Sequence, residues 1–186
     1  MKSIDWPYDF SALPHWDNRE RMFVTDKFTE SPRASYLCTL YANCEVSMMN
    51  YMGFLAVLKN KVDPELILNV TVFNVTDERA FFTADERFLI VQAHLRKSGL
   101  SGYIDTFLVI DLNELKFAFV HNLWTKNRPF DKITEVDQST VVIQPQNVTV
   151  EFSKLIYEPL CKINDVKAVR FEKKLFGESR LVPVFG

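Results

Sequence analysis

The chain has 186 residues, of which 47% are hydrophobic and 25% charged, a balance typical of globular proteins that excludes disorder over most of its length. Its formal net charge of −2 lacks the basic excess of a dedicated nucleic-acid-binding protein. Sixteen Phe against five Gly indicate a core of large aromatic side chains, which favours β-strands.

The first twenty residues have no clear apolar period and contain Pro7 and Pro14. Trp6 and Trp16 can pack this irregular segment onto the rest of the protein. We expect it to cover an exposed sheet edge, because proteins protect such edges from pairing with other chains.

From about residue 20 onward, an apolar strand pattern recurs at a spacing of 52 residues. Tyr36-Leu37 corresponds to Phe88-Leu89 and then to Thr140-Val141. The run 54–57 lies within one residue of the same register from the run 107–110. A period of this length predicts repeated units of β-sheet that stack on one another.

Each unit is predicted to contain four short strands in up-and-down order. In the first unit the strands are 21–25, 35–41, 54–58 and 65–68, and in the second they are 80–83, 88–91, 107–110 and 116–120. A third unit begins with 132–135 and 140–143, followed by an alternating strand at 147–152. The segment 166–175 fits either a helix or a strand that pairs with 181–184 through a turn at Gly177, and we favour the hairpin.

The stretch from Thr83 to Val91, followed by 107–112 and 116–118, resembles a blade of a β-propeller, in which a [Ser/Thr]-x-Asp turn leads into an aromatic-starting second strand. The resemblance extends more weakly over residues 22–143. Asp85 corresponds to Arg33 in the first unit and to Asp137 in the third. Arg87 likewise corresponds to Ser35 and Ser139.

A closed propeller needs about four to eight blades, whereas this chain supplies about two and a half units. We therefore predict a mainly β, single-domain fold of antiparallel four-stranded units, propeller-blade-like, with irregular N-terminal and C-terminal caps. The predicted domain covers 1–186, with a lead-in at 1–20, units at 21–70 and 73–122, and a partial unit with its cap at 130–186.

Catalytic and metal-binding patterns are sparse. Cys38, Cys44 and Cys161 form no C-x-x-C pair and are interpreted as small core residues. A small hydrolase or lyase with a site at His94, Asp105 and His121 is an alternative, although spacing alone does not bring these residues together. We predict no catalytic residue, no cofactor and no metal.

Loops at one rim of the sheets are the predicted functional surface. They cover residues 43–53, 70–79, 93–105 and 121–131. The candidate partner-binding residues are Tyr51, Arg96, Tyr103, Trp124 and Arg128. Trp, Tyr and Arg are enriched among the residues that dominate protein–protein binding.

The sequence therefore favours a non-enzymatic protein-binding module with no nucleic-acid or membrane partner. The beginning of the chain has no apolar segment typical of a signal peptide, so we expect a cytoplasmic protein. In general outline it is similar to bacterial immunity proteins that neutralise a partner toxin, without a shared motif. A structural subunit that pairs its open sheet edge with a second copy, as a homodimer, is a further alternative.

Overall fold

The computed structural model describes residues 5–14, 27–47, 50–73, 80–96, 103–121, 133–144, 148–173 and 179–186, with the backbone alone at some strand ends. The first eight strands are β1 (Lys27–Glu30), β2 (Tyr36–Ser47), β3 (Asn50–Lys59), β4 (Glu65–Phe73), β5 (Ala80–Phe82), β6 (Phe88–Arg96), β7 (Tyr103–Asp111) and β8 (Lys116–His121). The remaining strands of the described residues are β9 (Ile133–Val136), β10 (Thr140–Ile143), β11 (Val148–Glu151), β12 (Glu158–Pro159), β13 (Val166–Lys173) and β14 (Ser179–Phe185). Short 3-10 helices cover Phe10–Ala12, Phe152–Lys154 and Leu160–Asp165.

These strands form antiparallel sheets, which confirms the predicted mainly β fold. The first sheet has the order β1-β2-β3-β4, and the central sheet has the order β12-β8-β7-β6-β5. The third sheet has the order β11-β10-β9, and β13 pairs with β14 in a C-terminal hairpin. That hairpin confirms the favoured interpretation of segment 166–175. Among the described residues, no helix is both long enough and apolar enough to cross a membrane.

The two largest buried clusters lie between the sheets, on both faces of the central sheet. One of its faces packs on the first sheet, where Leu89 and Ile110 meet residues such as Leu55 and Val57. Its other face packs on the third sheet in a second buried cluster, which includes Phe107 and Val141. Because the central sheet is covered on both sides, β6 and β7 carry continuous apolar runs rather than a strict alternation.

Pairing in the first two sheets follows the same register. Leu37 on β2 lies opposite Leu58 on β3, and Leu89 on β6 lies opposite Ile110 on β7. The backbone N–H of Asn60 donates to the carbonyl of Ser35 at 2.8 Å. Fifty-two residues further along, the N–H of Leu112 donates to the carbonyl of Arg87, also at 2.8 Å.

The turns that join β1 to β2 and β5 to β6 share their backbone conformation. Ala34 and Glu86 have positive φ angles of 59° and 62°, which are uncommon for residues other than Gly. In both turns the residue after the first strand, Ser31 or Thr83, uses its side-chain oxygen to accept a hydrogen bond from the N–H of the residue that begins the next strand. The turn between β9 and β10 is shorter, because Val136 pairs with Val141.

The N-terminal segment covers a sheet face rather than the predicted sheet edge. Trp6 is 4% exposed and packs on Leu37 and Leu58 of the first sheet. Its indole N–H also donates to Glu30 Oε1 at 2.9 Å, which ties the segment to β1. The face has to be covered because β2 and β3 present apolar side chains on both of their sides. Trp16 and the predicted strand 21–25 lie outside the described residues.

Candidate functional site

Arg87 and Asp111 lie at neighbouring strand ends of the central sheet. Arg87 directly precedes β6 and Asp111 is the last residue of β7, opposite Phe88 in the register. The Nε and Nη2 atoms of Arg87 both donate to Asp111 Oδ2, at 3.1 and 2.9 Å. The hairpin register thus fixes a guanidinium beside a carboxylate at this end of the sheet.

The carboxylate of Asp111 is fully engaged in structural hydrogen bonds. Its other oxygen, Oδ1, accepts from the backbone N–H groups of Asn113 and Glu114, both at 3.0 Å. These bonds hold the tight turn between β7 and β8. Asp111 is only 5% exposed, so it anchors Arg87 and leaves no free oxygen to act as a base.

The guanidinium of Arg87 is held in place but remains accessible. Its Cζ atom lies 4.9 Å from the centroid of the Phe88 ring, within the range of a cation–π contact. The hydrogen bonds to Asp111, together with the charge of that residue, raise the pKa of Arg87. The side chain is 46% exposed, and its Nη1 atom has no hydrogen-bond partner among the described residues.

A cavity of about 380 Å³, which we call the Arg87 cavity, opens between the central and third sheets. Phe88 and Phe152 also line it, with ring centroids 4.6 Å apart, but they are only 6% and 1% exposed. Gln138 and Ser139 line it from the turn between β9 and β10. The cavity therefore places a fixed cation among polar and aromatic side chains.

Tyr157 lines this cavity, and its hydroxyl group is unusual. The hydroxyl oxygen is buried and has no hydrogen-bond partner among the described residues. Burial raises the pKa of Tyr157 to about 12, and the negative charge of Asp111 adds to the effect. The hydroxyl is therefore protonated at neutral pH.

A second ion pair lines the cavity. Lys116 Nζ lies 3.4 Å from Glu114 Oε2, and the two side chains are 48% and 56% exposed. A pair this exposed contributes little to stability, because water and salt screen it.

The predicted rim loops are shorter than the sequence suggested, because the strands continue into them. β2 runs to Ser47 and β3 begins at Asn50, so that Tyr51 lies in a strand opposite Glu45. Arg96 ends β6 and lies opposite Tyr103, the first residue of β7. Trp124 and Arg128 lie outside the described residues. The partner-binding role of all five residues stays a prediction.

For the alternative catalytic residues His94, Asp105 and His121, the structure describes the backbone positions alone. His94 lies opposite Asp105 in the register of β6 and β7. His121 lies opposite Thr106 in the register of β7 and β8. The side chains of these residues are outside the described part of the structure, and the hydrolase or lyase hypothesis stays a prediction.

Two cysteines show different environments. Cys38 is buried in the core, as predicted, and burial raises its pKa to about 12. Cys161 is exposed, so the prediction of a core position was wrong for that residue. It lies in the 3-10 helix Leu160–Asp165, where Leu160 is the side chain that enters the core. Among the described residues, no three His, Cys, Asp or Glu side chains cluster as metal ligands would.

Sequence reasoning did not single out the Arg87 cavity. One available indication was Arg87 itself, a long cation at a position where the other two units have Ser35 and Ser139. Asp111 and Glu114 belong to a turn, where acidic residues are common for structural reasons. Tyr157 lies in a segment without apolar periodicity, and no sequence pattern indicates that it lines a cavity.

The chain was compared with protein-family models, with curated proteins and with solved structures, and no match was found in any of the three.

Proposed function

We propose that this chain is a non-enzymatic binding module that makes a protein–protein contact centred on the Arg87 cavity. The observation that carries the proposal is how the charged groups of the cavity are engaged. Both carboxylate oxygens of Asp111 accept structural hydrogen bonds. Arg87, in contrast, is partly exposed, and its Nη1 atom has no hydrogen-bond partner among the described residues. An arrangement of this kind is suited to recognition, because it holds a donor firmly without activating a nucleophile.

The proposed scaffold is a stack of propeller-blade-like repeat units. The shared register of β2–β3 and β6–β7 supports this architecture, as do the matching hydrogen bonds of Asn60 and Leu112. In this proposal, the third sheet corresponds to the partial repeat unit predicted after residue 130. Stacked sheets of this kind hold their connecting turns rigidly, and turns on a rigid scaffold are frequent binding positions.

The rim predicted from the sequence is a second proposed contact surface. Two of its residues, Arg96 and Tyr103, lie at the opposite ends of β6 and β7 from Phe88 and Asp111. The pairing of Arg96 with Tyr103 supports it, because directly opposed residues in an antiparallel pair are close neighbours.

We also propose that the protein is cytoplasmic and that its partner is a toxin that the chain neutralises. Co-expression tests the second point directly. If a neighbouring gene encodes a toxin, cells that produce that toxin should survive when the chain is present. Unchanged killing would remove the immunity role while leaving other binding roles open.

The binding proposal itself is tested by affinity purification of the tagged, full-length chain from the cells that naturally produce it. We expect a partner recovered in a fixed stoichiometric ratio. Separate alanine variants of Tyr51, Tyr103 and Trp124 test the rim, and variants of Arg87 and Tyr157 test the cavity. If no stoichiometric partner is recovered and all these variants behave like the wild type, the proposal fails.

A further inference from the structure

We propose that residues 5–14, which we call the strap, can leave the first sheet while the sheets themselves stay folded. The strap covers the outer face of that sheet, which is turned away from the central sheet. Its release is a conformational change built into the fold, and it does not depend on the Arg87 cavity. Release exposes an apolar sheet face that is hidden when the strap is in place.

The strap contacts the sheet through alternate side chains. Trp6 is buried and Tyr8 and Phe10 are half-buried, whereas the residues between them are exposed. Leu13 is also buried, in a cluster with Ala56 of β3. Apolar packing by these side chains is therefore the main attachment of the strap to the sheet.

The strap does not belong to a sheet. No strand of the described sheets pairs with it. The backbone hydrogen bonds from Ala12 N to Asp9 O and from Leu13 N to Phe10 O both lie within the strap. Segments without a ladder of backbone hydrogen bonds to a sheet open at a lower free-energy cost than the strands beneath them.

Polar contacts of residues 5 and 6 tie one end of the strap to Glu30 and Lys61. Glu30 Oε1 accepts hydrogen bonds from Trp6 Nε1 at 2.9 Å and from Lys61 Nζ at 3.1 Å. Lys61 Nζ also lies 3.9 Å from Asp5 Oδ2. The side chains of Lys61 and Glu30 are 34% and 43% exposed, so water can replace these contacts when the strap leaves.

The strap also covers a polar group that it does not satisfy. Thr39 lies on β2 between Leu37 and Tyr41 and opposite Ala56, and strand alternation places all four residues on the outer face. Thr39 is fully buried, and its Oγ1 atom has no hydrogen-bond partner among the described residues. A buried hydroxyl without a partner costs free energy, and release of the strap gives it access to water. This cost favours release.

Thiol labelling of the full-length chain tests the proposal. Thr39→Cys places a thiol on the outer face, at nearly the same size and without loss of a hydrogen bond seen in the structure. The neighbouring Cys38 is buried on the inner face of the same strand, so it is a matched control within one molecule. Cys44→Ser and Cys161→Ser remove the other two thiols.

We expect the thiol introduced by Thr39→Cys to react at least about tenfold faster than Cys38, at a rate that low urea concentrations leave unchanged. Cys38 should react through unfolding, so its rate should rise steeply with urea. Trp6→Phe should speed the reaction of the introduced thiol about fivefold relative to Cys38, because it removes the hydrogen bond to Glu30. Equal rates, or the same urea dependence for both thiols, would overturn the proposal.

Hydrogen exchange of the unsubstituted chain provides a second measurement, in case Thr39→Cys itself loosens the strap. The indole N–H of Trp6 should exchange at a rate that low urea concentrations leave unchanged. The backbone N–H groups of β3, which is paired on both sides, should exchange through unfolding. If the indole N–H is protected as strongly as those groups, the strap is part of the cooperative core and the proposal fails.

Discussion

The carboxylate of Glu86 accepts a hydrogen bond from the hydroxyl of Ser31 at 2.6 Å, which joins two turns that are 55 residues apart in the chain. In the β5–β6 turn, Asp85 accepts hydrogen bonds from Thr83 Oγ1 at 2.6 Å and from the backbone N–H of Arg87 at 3.2 Å. The first turn has Arg33 where the second has Asp85. Glu86 therefore supplies, from a neighbouring turn, the carboxylate that the first turn lacks.

This relationship predicts a rescue. Glu86→Gln should lower the free energy of unfolding by about 1–3 kcal/mol, because buried donors lose a charged acceptor. Adding Arg33→Asp to that variant should recover part of the loss, since the first turn then contains its own acceptor. Arg33→Asp alone should destabilise, because it places a second carboxylate beside Glu86. Denaturant unfolding of the four proteins measures these values, and strictly additive effects would contradict the account.

Glu86 also predicts a dependence on pH. Burial raises its pKa, but the hydrogen bonds from Ser31, Ser35 and Arg33 outweigh burial and hold the pKa below its ordinary value of 4.5. The carboxylate therefore stabilises the fold fully above that value, and the contribution is lost as the pH falls through the lower pKa of the folded state. The free energy of unfolding, measured from neutral to acid pH, should fall less steeply below pH 4.5 in Glu86→Gln than in the wild type. Parallel curves would show that Glu86 is not the group responsible.

Leu115 is a site of backbone strain that can be relieved. Its φ angle is 49°, a conformation that costs roughly 1–2 kcal/mol for an ordinary residue, and it is 50% exposed. Leu115→Asn should raise the free energy of unfolding by about 1 kcal/mol, because Asn tolerates this conformation. Val62→Asn provides the control, since Val62 is 89% exposed and has no positive φ angle. If thermal unfolding shows the same change in stability for the two variants, the assignment of backbone strain to Leu115 is contradicted.

Tyr157→Phe should not destabilise the protein. Its hydroxyl is buried without a partner, so its removal leaves no other group unpaired and should raise the free energy of unfolding by up to about 1 kcal/mol. Most substitutions at buried polar positions have the opposite effect. A loss of more than about 1 kcal/mol in denaturant unfolding would indicate that the hydroxyl has a structural partner.

Much of the sheet structure could be predicted from local patterns. The apolar run that begins at Phe88 predicted β6, and the residues from Lys116 predicted β8. The turn at Asp85 was also recognisable, because Asp in such a turn accepts hydrogen bonds from residues nearby in the chain. Strand ends were harder, since the pairing of polar residues such as Glu45 with Tyr51 depends on the partner strand.

The candidate site could not be predicted in the same way, because it depends on how sheets stack. Tyr157 reaches the cavity from the segment after β11, and no local pattern indicates which sheet that segment meets. The bond from Ser31 to Glu86 likewise requires the first and central sheets to face each other. The position of Trp6 on a face rather than an edge follows from the same packing.

The central claim is that the Arg87 cavity is a recognition site for the partner. Isothermal titration calorimetry of the recovered partner against the wild-type chain and Arg87→Ser tests it most directly, with Lys61→Ser as the control. We predict that Arg87→Ser binds about tenfold more weakly, and that Lys61→Ser, which loses an ion pair with Glu30 outside the cavity, binds as the wild type does. Equal affinities for all three proteins would contradict the claim.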